Sequence, residues 1–408
     1  MRFLSIYALF NSLAMVTSAA AQTPGAALDD ELRALRGDLD GLRLSIEDAT
    51  AQLLVMNQRL RQLEESDPPP GATPPRRVVP AGPIQQTITH GDQLEAQGFR
   101  PGSLYARFVT DQLIDRAKLR PGANPYSYVQ LDQPFGFAWW VQQARQRGIK
   151  LAFRVMMLNS DSQYDGAVWM RDVMGWPGLS FTWQGRELWT PDHSDQRVRE
   201  FFGALYQTIA DRFSDDLEYV DGHGFGLWGE WHYNDDRGRH TRPEDPVHDY
   251  KWSIDVFERV FPDVPKLVTV KRPQGTPSAP GHPNAAEGCR YAISKGWGFR
   301  LDGAGDPFHS ARDLGGAGYY EDALTYMGAW DVIGRVPVAC EPAGTLNVGG
   351  WTQQGGVGGF DWWHILETQI DRYGICYLNN KGAPVVNWAR PQFRELLEKM
   401  EANLARVK

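Results

Sequence analysis

The N-terminal part of the chain carries apolar residues at Leu28, Leu32, Leu35, Leu39, Leu42, Ile46, Ala49, Leu53, Met56, Leu60 and Leu63, alternating steps of four and three. Sustained over about five heptads, that spacing predicts a coiled coil over residues 26–65. A helix lying on the protein's own core would show a wider apolar stripe than this single seam. Gly37 and Gly41 weaken the seam locally, and its leucine-rich composition leaves dimer and trimer open. Residues 66–83, "SDPPPGATPPRRVVPAGP", place seven prolines in eighteen positions, which stops the helix and predicts an extended spacer.

From Ile84 the pattern changes to short β-rich runs separated by helical or loop stretches. The strand candidates are 86–91, 103–109, 150–157, 219–226, 266–271, 299–303, 336–341 and 374–380. Apolar positions at helical spacing fill 135–148, 195–213, 249–261 and 361–374. Eight strands divided by helices predict an α/β chain, a (β/α)₈ TIM barrel over 84–408 preceded by the coiled coil. A doubly wound open sheet is the competing architecture, but no glycine-rich phosphate turn follows the first strand.

Composition narrows the partners. Fifteen tryptophans and 42 glycines describe a loop-rich protein with flat apolar surfaces suited to sugars or aromatic ligands, though ordinary core packing uses them too. A net charge of −8 argues against nucleic acid and anionic membrane, which call for a basic surface. Residues 1–21 combine Arg2, an apolar stretch from Phe3 to Val16 and an Ala19-x-Ala21 site, the pattern of a secretory signal. The apolar run is shorter than the about 20 residues a membrane span needs, so a secreted or periplasmic location without an integral span is expected. Three cysteines, Cys289, Cys340 and Cys376, allow at most one intrachain bridge and match no zinc spacing.

The chemistry is expected where barrel strands end. "GFGLWGEWHY", 224–233, sets Glu230 between Trp228 and Trp231, and a carboxyl in apolar surroundings has the raised pKa a general acid needs. The seventh strand candidate ends at Glu341, behind Val338, Ala339 and Cys340, which predicts a carboxylate at the rim. Strands four and seven lie across a closed eight-stranded barrel from each other. Two carboxyl groups so placed are the working parts of glycoside hydrolysis.

The segments "YARFVTDQLI" (105–114), "GIKLAFRV" (148–155) and "GFGLWGEWH" (224–232) resemble an uncharacterised bacterial barrel branch with a Gly-Glu-Trp motif on strand four. The order and spacing over roughly 84–390 resemble the clan A retaining glycoside hydrolases. The resemblance implies a retaining double displacement on a polysaccharide or oligosaccharide, with Glu230 as acid/base and Glu341 as nucleophile, and without a cofactor. The clan usually has Asn before the acid/base, where its amide holds the sugar 2-hydroxyl; here the position is Gly229. That contact must come from elsewhere or be absent.

Other polar residues near predicted strand ends are candidates for the mouth: His90, Arg107, Arg154, Asn159, His232, Lys271, Arg272, Asp302 and Asn379. Arg107 and Arg154 lead them, because a cation beside the nucleophile keeps it ionised. Trp351, Trp362 and Trp388 either stack on a sugar face or pack helix against barrel, Trp363 is expected in the core, and Trp231 is a candidate substrate-binding residue in the apolar collar of Glu230. His223, His232, His240 and His248 fit no standard zinc arrangement, so no metal is expected. Two further functions remain open: a catalytically idle glycan-binding or envelope scaffold barrel, homo-oligomeric through the coiled coil, and a polysaccharide lyase using Tyr233 and Arg237.

Overall fold

The computed structural model describes residues 84–86, 102–158, 167–183, 186–231, 247–274, 281–305, 308–342, 362–379 and 391–407. The chain divides into two units, Met1–Arg76 and Arg77–Lys408, and all described residues belong to the second. The expected signal, coiled coil and proline-rich spacer lie outside them.

Eleven strands are described: β1 (Ile84–Gln86), β2 (Ser103–Val109), β3 (Lys150–Leu158), β4 (Gly178–Trp183), β5 (Arg186–Pro191), β6 (Leu217–Asp221), β7 (Gly224–Leu227), β8 (Lys266–Thr269), β9 (Gly298–Ala304), β10 (Val338–Pro342) and β11 (Tyr377–Asn379). The parallel pairings β1–β2, β2–β3, β3–β6, β6–β8, β8–β9, β9–β10, β10–β11 and β11–β1 run in a ring. This is the parallel α/β barrel expected from the strand count, and the open-sheet alternative is excluded by the β11–β1 pairing.

The eight described helices are α1 (Phe137–Gln146), α2 (Val168–Asp172), α3 (Gln196–Phe213), α4 (His248–Val260), α5 (Pro283–Ser294), α6 (Tyr319–Met327), α7 (Trp362–Tyr373) and α8 (Pro391–Val407). α3 shows why the sequence specifies them. Val198, Phe201, Phe202, Leu205, Tyr206, Ile209 and Phe213 recur at helical spacing and are buried, and the Asp195 carboxylate caps the first turn by accepting from the Arg197 amide at 2.8 Å.

Strand alternation separates two cores. From β2, Leu104, Ala106 and Phe108 point outward into the large cluster between barrel and helices. Tyr105 points inward with Ala152, Tyr219, Leu267, Ala339 and Tyr377, and Leu404 and Val407 at the end of α8 pack against this inner cluster. The inner cluster lies two residues before the polar positions Arg107, Arg154, Asp221, Thr269 and Glu341 on the same strands. α8 therefore packs at the N-terminal end of the barrel, opposite the polar positions.

The fourth barrel strand, expected as one run over 219–226, is divided into β6 and β7. β3 pairs with both, through Leu151–Phe153 and then Met156–Leu158. The close approach needs a glycine: a Cβ on Gly224 would lie 1.9 Å from the Val155 carbonyl oxygen. The first strand is described at 84–86 rather than 86–91, and residues 87–101 lie outside the described set. An antiparallel pair, β4 and β5, is inserted after β3. All three cysteines are buried and none is in a disulfide.

Candidate active site

The turn after β7 carries Glu230. Gly226, Trp228, Gly229 and Trp231 all have left-handed φ, at 70°, 54°, 68° and 61°. Two tryptophans in that region store strain, the kind of outlier that collects at functional sites. The turn is held by backbone bonds from Glu230 to Leu227 at 3.0 Å and from Trp231 to Phe225 at 2.9 Å, both N–H to carbonyl. A third tie comes from the barrel interior, where the Arg154 Nη1 donates to the Trp228 carbonyl at 3.2 Å.

A side chain in place of Gly229 would be both strained and crowded. Besides its φ, a Cβ there would meet Arg154 Cδ at 2.9 Å and Met156 Cγ at 3.1 Å. An asparagine like the one the resemblance calls for would have to displace the arginine that holds the turn.

The half-buried Glu230 carboxyl is pushed up to about 7, first by burial and then by the charges of Asp302 and Glu341, against the opposing pull of Lys271 and Arg154. Glu341 is the penultimate residue of β10 and is wholly buried rather than at an open rim. Its depth has a cause in the sheet: Arg107 from β2 and Arg300 from β9 both donate to its Oε2. Two guanidinium groups on one carboxylate oxygen favour the ionised form. Arg107 is the more accessible of the pair, with 24% of its side chain exposed against 0% for Arg300.

Asp302 is the register partner of Glu341 on β9. Its Oδ1 accepts from Arg300 Nε at 2.7 Å, and its backbone carbonyl accepts from the Tyr320 hydroxyl at 2.5 Å. Burial would raise this carboxyl, but the Arg300 and Arg154 charges outweigh it and hold it below the usual range. Asp302 stays ionised beside a glutamate that is half protonated near neutrality.

Beneath these groups lies a second buried layer. Asp221, ending β6, accepts at Oδ2 from Tyr105 at 2.7 Å and from Arg154 Nε at 3.0 Å, with Arg300 Nη1 at 3.6 Å. Arg154 Nη2 donates to Thr269 at 2.9 Å. The Arg300 guanidinium lies over the Tyr105 ring, 4.7 Å from its centroid. Arg107, Arg154, Lys271 and Arg300 thus oppose Asp221, Glu230, Asp302 and Glu341, so the cluster balances its charge only when Glu230 ionises.

The candidates from sequence separate accordingly. Arg107, Asp302, Glu230 and Glu341 come together, with Lys271 acting electrostatically on Glu230. Arg154 joins them from below: it is wholly buried and pairs with Asp221, so its expected place in the mouth beside the nucleophile is taken by Arg300. Trp231 is a correction of a different kind. Only 1% exposed, it packs against Phe225 and Tyr250 with ring centroids 5.7 and 5.0 Å away, leaving no face for a ligand. Arg272 is likewise buried, its guanidinium between Phe308 and Tyr319. Asn379 is buried on β11 and Trp363 half-buried against the outer core. His90, Asn159, His232, Trp351 and Trp388 lie outside the described residues, as do Tyr233 and Arg237. Among the described residues no group of three or more His, Cys, Asp or Glu is placed to hold a metal ion, and no helix is long and apolar enough to cross a membrane.

Arg300 and Asp221 were not among the candidates. Both were legible in principle, since "FRLDG" alternates Arg300 and Asp302 with Phe299 and Leu301. Asp221 similarly follows Tyr219 by two positions.

No protein-family model and no curated protein sequence matches the chain. Among solved structures it is similar to an endo-1,4-beta-xylanase of Penicillium canescens, with a TM-score of 0.42 and 10% identity over 78% of this chain and 93% of that one. It is also similar to an alpha-galactosidase from Lactobacillus brevis (TM-score 0.41, 12% identity, 81% of this chain), of whose length it spans 41%. A D-psicose 3-epimerase from Clostridium cellulolyticum, solved with D-tagatose, scores 0.34 at 12% identity, over 79% of this chain and 97% of that one. At such scores, and with an epimerase beside the hydrolases, these likenesses carry no weight for chemistry. The barrel rests on its own strand pairings.

Proposed function

We propose that the chain is a secreted retaining glycoside hydrolase acting on a polysaccharide or oligosaccharide, with Glu230 as acid/base and Glu341 as nucleophile. The observation that carries this reading is the opposite setting of two glutamates at the same barrel mouth. Glu230 is pushed up to about 7 by burial and by two neighbouring carboxylates, while Glu341 is gripped by two arginines. Environments that set two carboxyls apart favour one as the proton donor and the other as the ionised nucleophile.

In the first step the Glu341 carboxylate attacks the anomeric carbon as the glycosidic bond breaks, and the leaving oxygen takes the Glu230 proton. A glycosyl ester on Glu341 results. In the second step Glu230, now a carboxylate, takes a proton from water as its oxygen attacks the anomeric carbon, and Glu341 leaves as a carboxylate. Arg107 and Arg300 orient the nucleophile throughout. Forming the ester removes one of the charges that raise the Glu230 pKa, so the group stays ionised and available to take the proton from water.

A second reading, a barrel that binds glycans without cleaving them, is favoured by the 1% exposure of the Glu341 side chain. Activity against a broad polysaccharide panel, with product sizing, separates the two. Glu230→Gln is expected to lower kcat/KM on the responsive glycan by about 10²–10⁴-fold, and Glu341→Gln to abolish turnover. Glu230 must be protonated to start the cycle, so the parent's kcat/KM is expected to fall as pH rises through about 7. Folded variants that match the parent, or a parent that binds glycans and cleaves none, refute the hydrolase.

A further inference from the structure

The two carboxyls of the proposed site are joined underneath by a continuous set of buried contacts. Arg154 on β3 holds the Trp228 carbonyl in the turn that carries Glu230. The same guanidinium donates through Nε to Asp221 Oδ2 at 3.0 Å, and its Nη2 lies 2.9 Å from that oxygen. Arg300 on β9 reaches this oxygen at 3.6 Å through Nη1, while its Nη2 donates to Glu341 and its Nε to Asp302 at 2.7 Å. Asp221 is the meeting point, only 1% exposed, with the Tyr105 hydroxyl fixing its Oδ2 from β2 at 2.7 Å.

We propose that Asp221 is a positioning residue that couples the two carboxyls, tying the arginine that holds the Glu230 turn to the arginine that holds Glu341. It touches no substrate. Two like-charged guanidinium groups lie near each other in the barrel interior, and Asp221 is the carboxylate they share. Without it they would repel, with one guanidinium free to lean toward the Glu230 turn and the other toward Asp302 and Glu341. A neutral amide at this position would leave Arg154 less compensated beneath Glu230. The pairing also accounts for Gly229, since the space a side chain would need there is filled by the Arg154 stem that Asp221 draws into place.

The inference rests on the hydrolase reading for its catalytic meaning, but its test does not need a substrate. The readout is the titration midpoint of Glu230, followed by carbon NMR of the intact protein carrying glutamate labelled at the side-chain carboxyl, with the signal assigned by its absence in Glu230→Gln. The groups that act on this midpoint are Asp302, Glu341, Lys271, Arg154 and Arg107, from five separate strands or their ends. Asp221→Asn removes a negative charge and frees positive charge under Glu230. The Glu230 carboxylate is then favoured, and the midpoint moves down by roughly 0.5–1 unit.

Arg154→Lys is the second variant, and it reads the geometry with the charge kept. A lysine cannot reach Asp221 and the Trp228 carbonyl together, so its cation withdraws from the turn and the midpoint moves up. Asp221→Glu, which restores the charge, returns the midpoint toward the parent value. An unchanged midpoint in Asp221→Asn, or in Arg154→Lys where Asp221→Asn does not fold, overturns the coupling. A parent Glu230 that titrates like a free carboxyl overturns the hydrolase reading instead, so the two failures are distinguishable.

Discussion

Glu230 is held where its charge is unwelcome. A carboxyl moved from 4.5 to about 7 favours folding less once it ionises. Because its pKa is raised on folding, stability falls as pH climbs between those values, by on the order of 3 kcal/mol in all. The strained backbone of Trp228 and Trp231 adds to that cost. Gly229 is where the turn tolerates change least. Gly229→Asn, which would restore the residue the resemblance calls for, is expected to destabilise the fold by about 1–3 kcal/mol and to lower activity, because it pushes on Arg154. Urea unfolding together with kcat/KM checks this; an unaltered midpoint with improved turnover would show that the Arg154 stem yields. Glu230 itself was legible from its tryptophan neighbours. Its charged neighbours were harder to find, because an arginine two residues before an aspartate on a strand looks the same whether that face meets water or the inside of a barrel.

At the scale of elements, the strands with strong alternation were the readable ones. Ser103–Val109 and Lys150–Leu158 match expectation almost to the residue because each has a fully apolar outer face, Leu104, Ala106 and Phe108 in one and Leu151, Phe153 and Val155 in the other. α5 was missed for a physical reason. Its buried face is Ala285, Ala286, Gly288, Cys289, Ala292 and Ile293, all but the last small residues that make a weak periodic signal. Their smallness lets α5 lie close to α4: a Cβ on Gly288 would come within 2.7 Å of Tyr250. α8 was missed although its face is strongly apolar, since nothing in the strand count required a further helix. Its end packs on the inner aromatic cluster, and Leu404 is 4% exposed there. Leu404→Ala is therefore expected to cost about 2–5 kcal/mol in denaturant unfolding while leaving the Glu230 midpoint unmoved, since it acts at the opposite end of the barrel. A shift of that midpoint would mean that the two ends are coupled.

For the whole molecule, the parallel ring was predictable because eight strand signals alternate with helices, and the ring then fixes which strand ends face one another. Putting glutamates at the ends of strands four and seven of that ring brings them to one mouth, and the electrostatic coupling of Glu230 to Glu341 reflects it. The expected coiled coil and signal fall outside the described residues, and no contact of the barrel described above involves them. The central claim is the covalent step, and peptide mapping by mass spectrometry after incubation with a panel of activated 2-deoxy-2-fluoro glycosides tests it directly, because the fluorine slows hydrolysis of the ester enough for it to accumulate. Retention through a glycosyl-enzyme predicts one added sugar on the peptide containing Glu341, absent in Glu341→Gln. A sugar carried by a different residue, or turnover of these glycosides with no ester at Glu341, would contradict it.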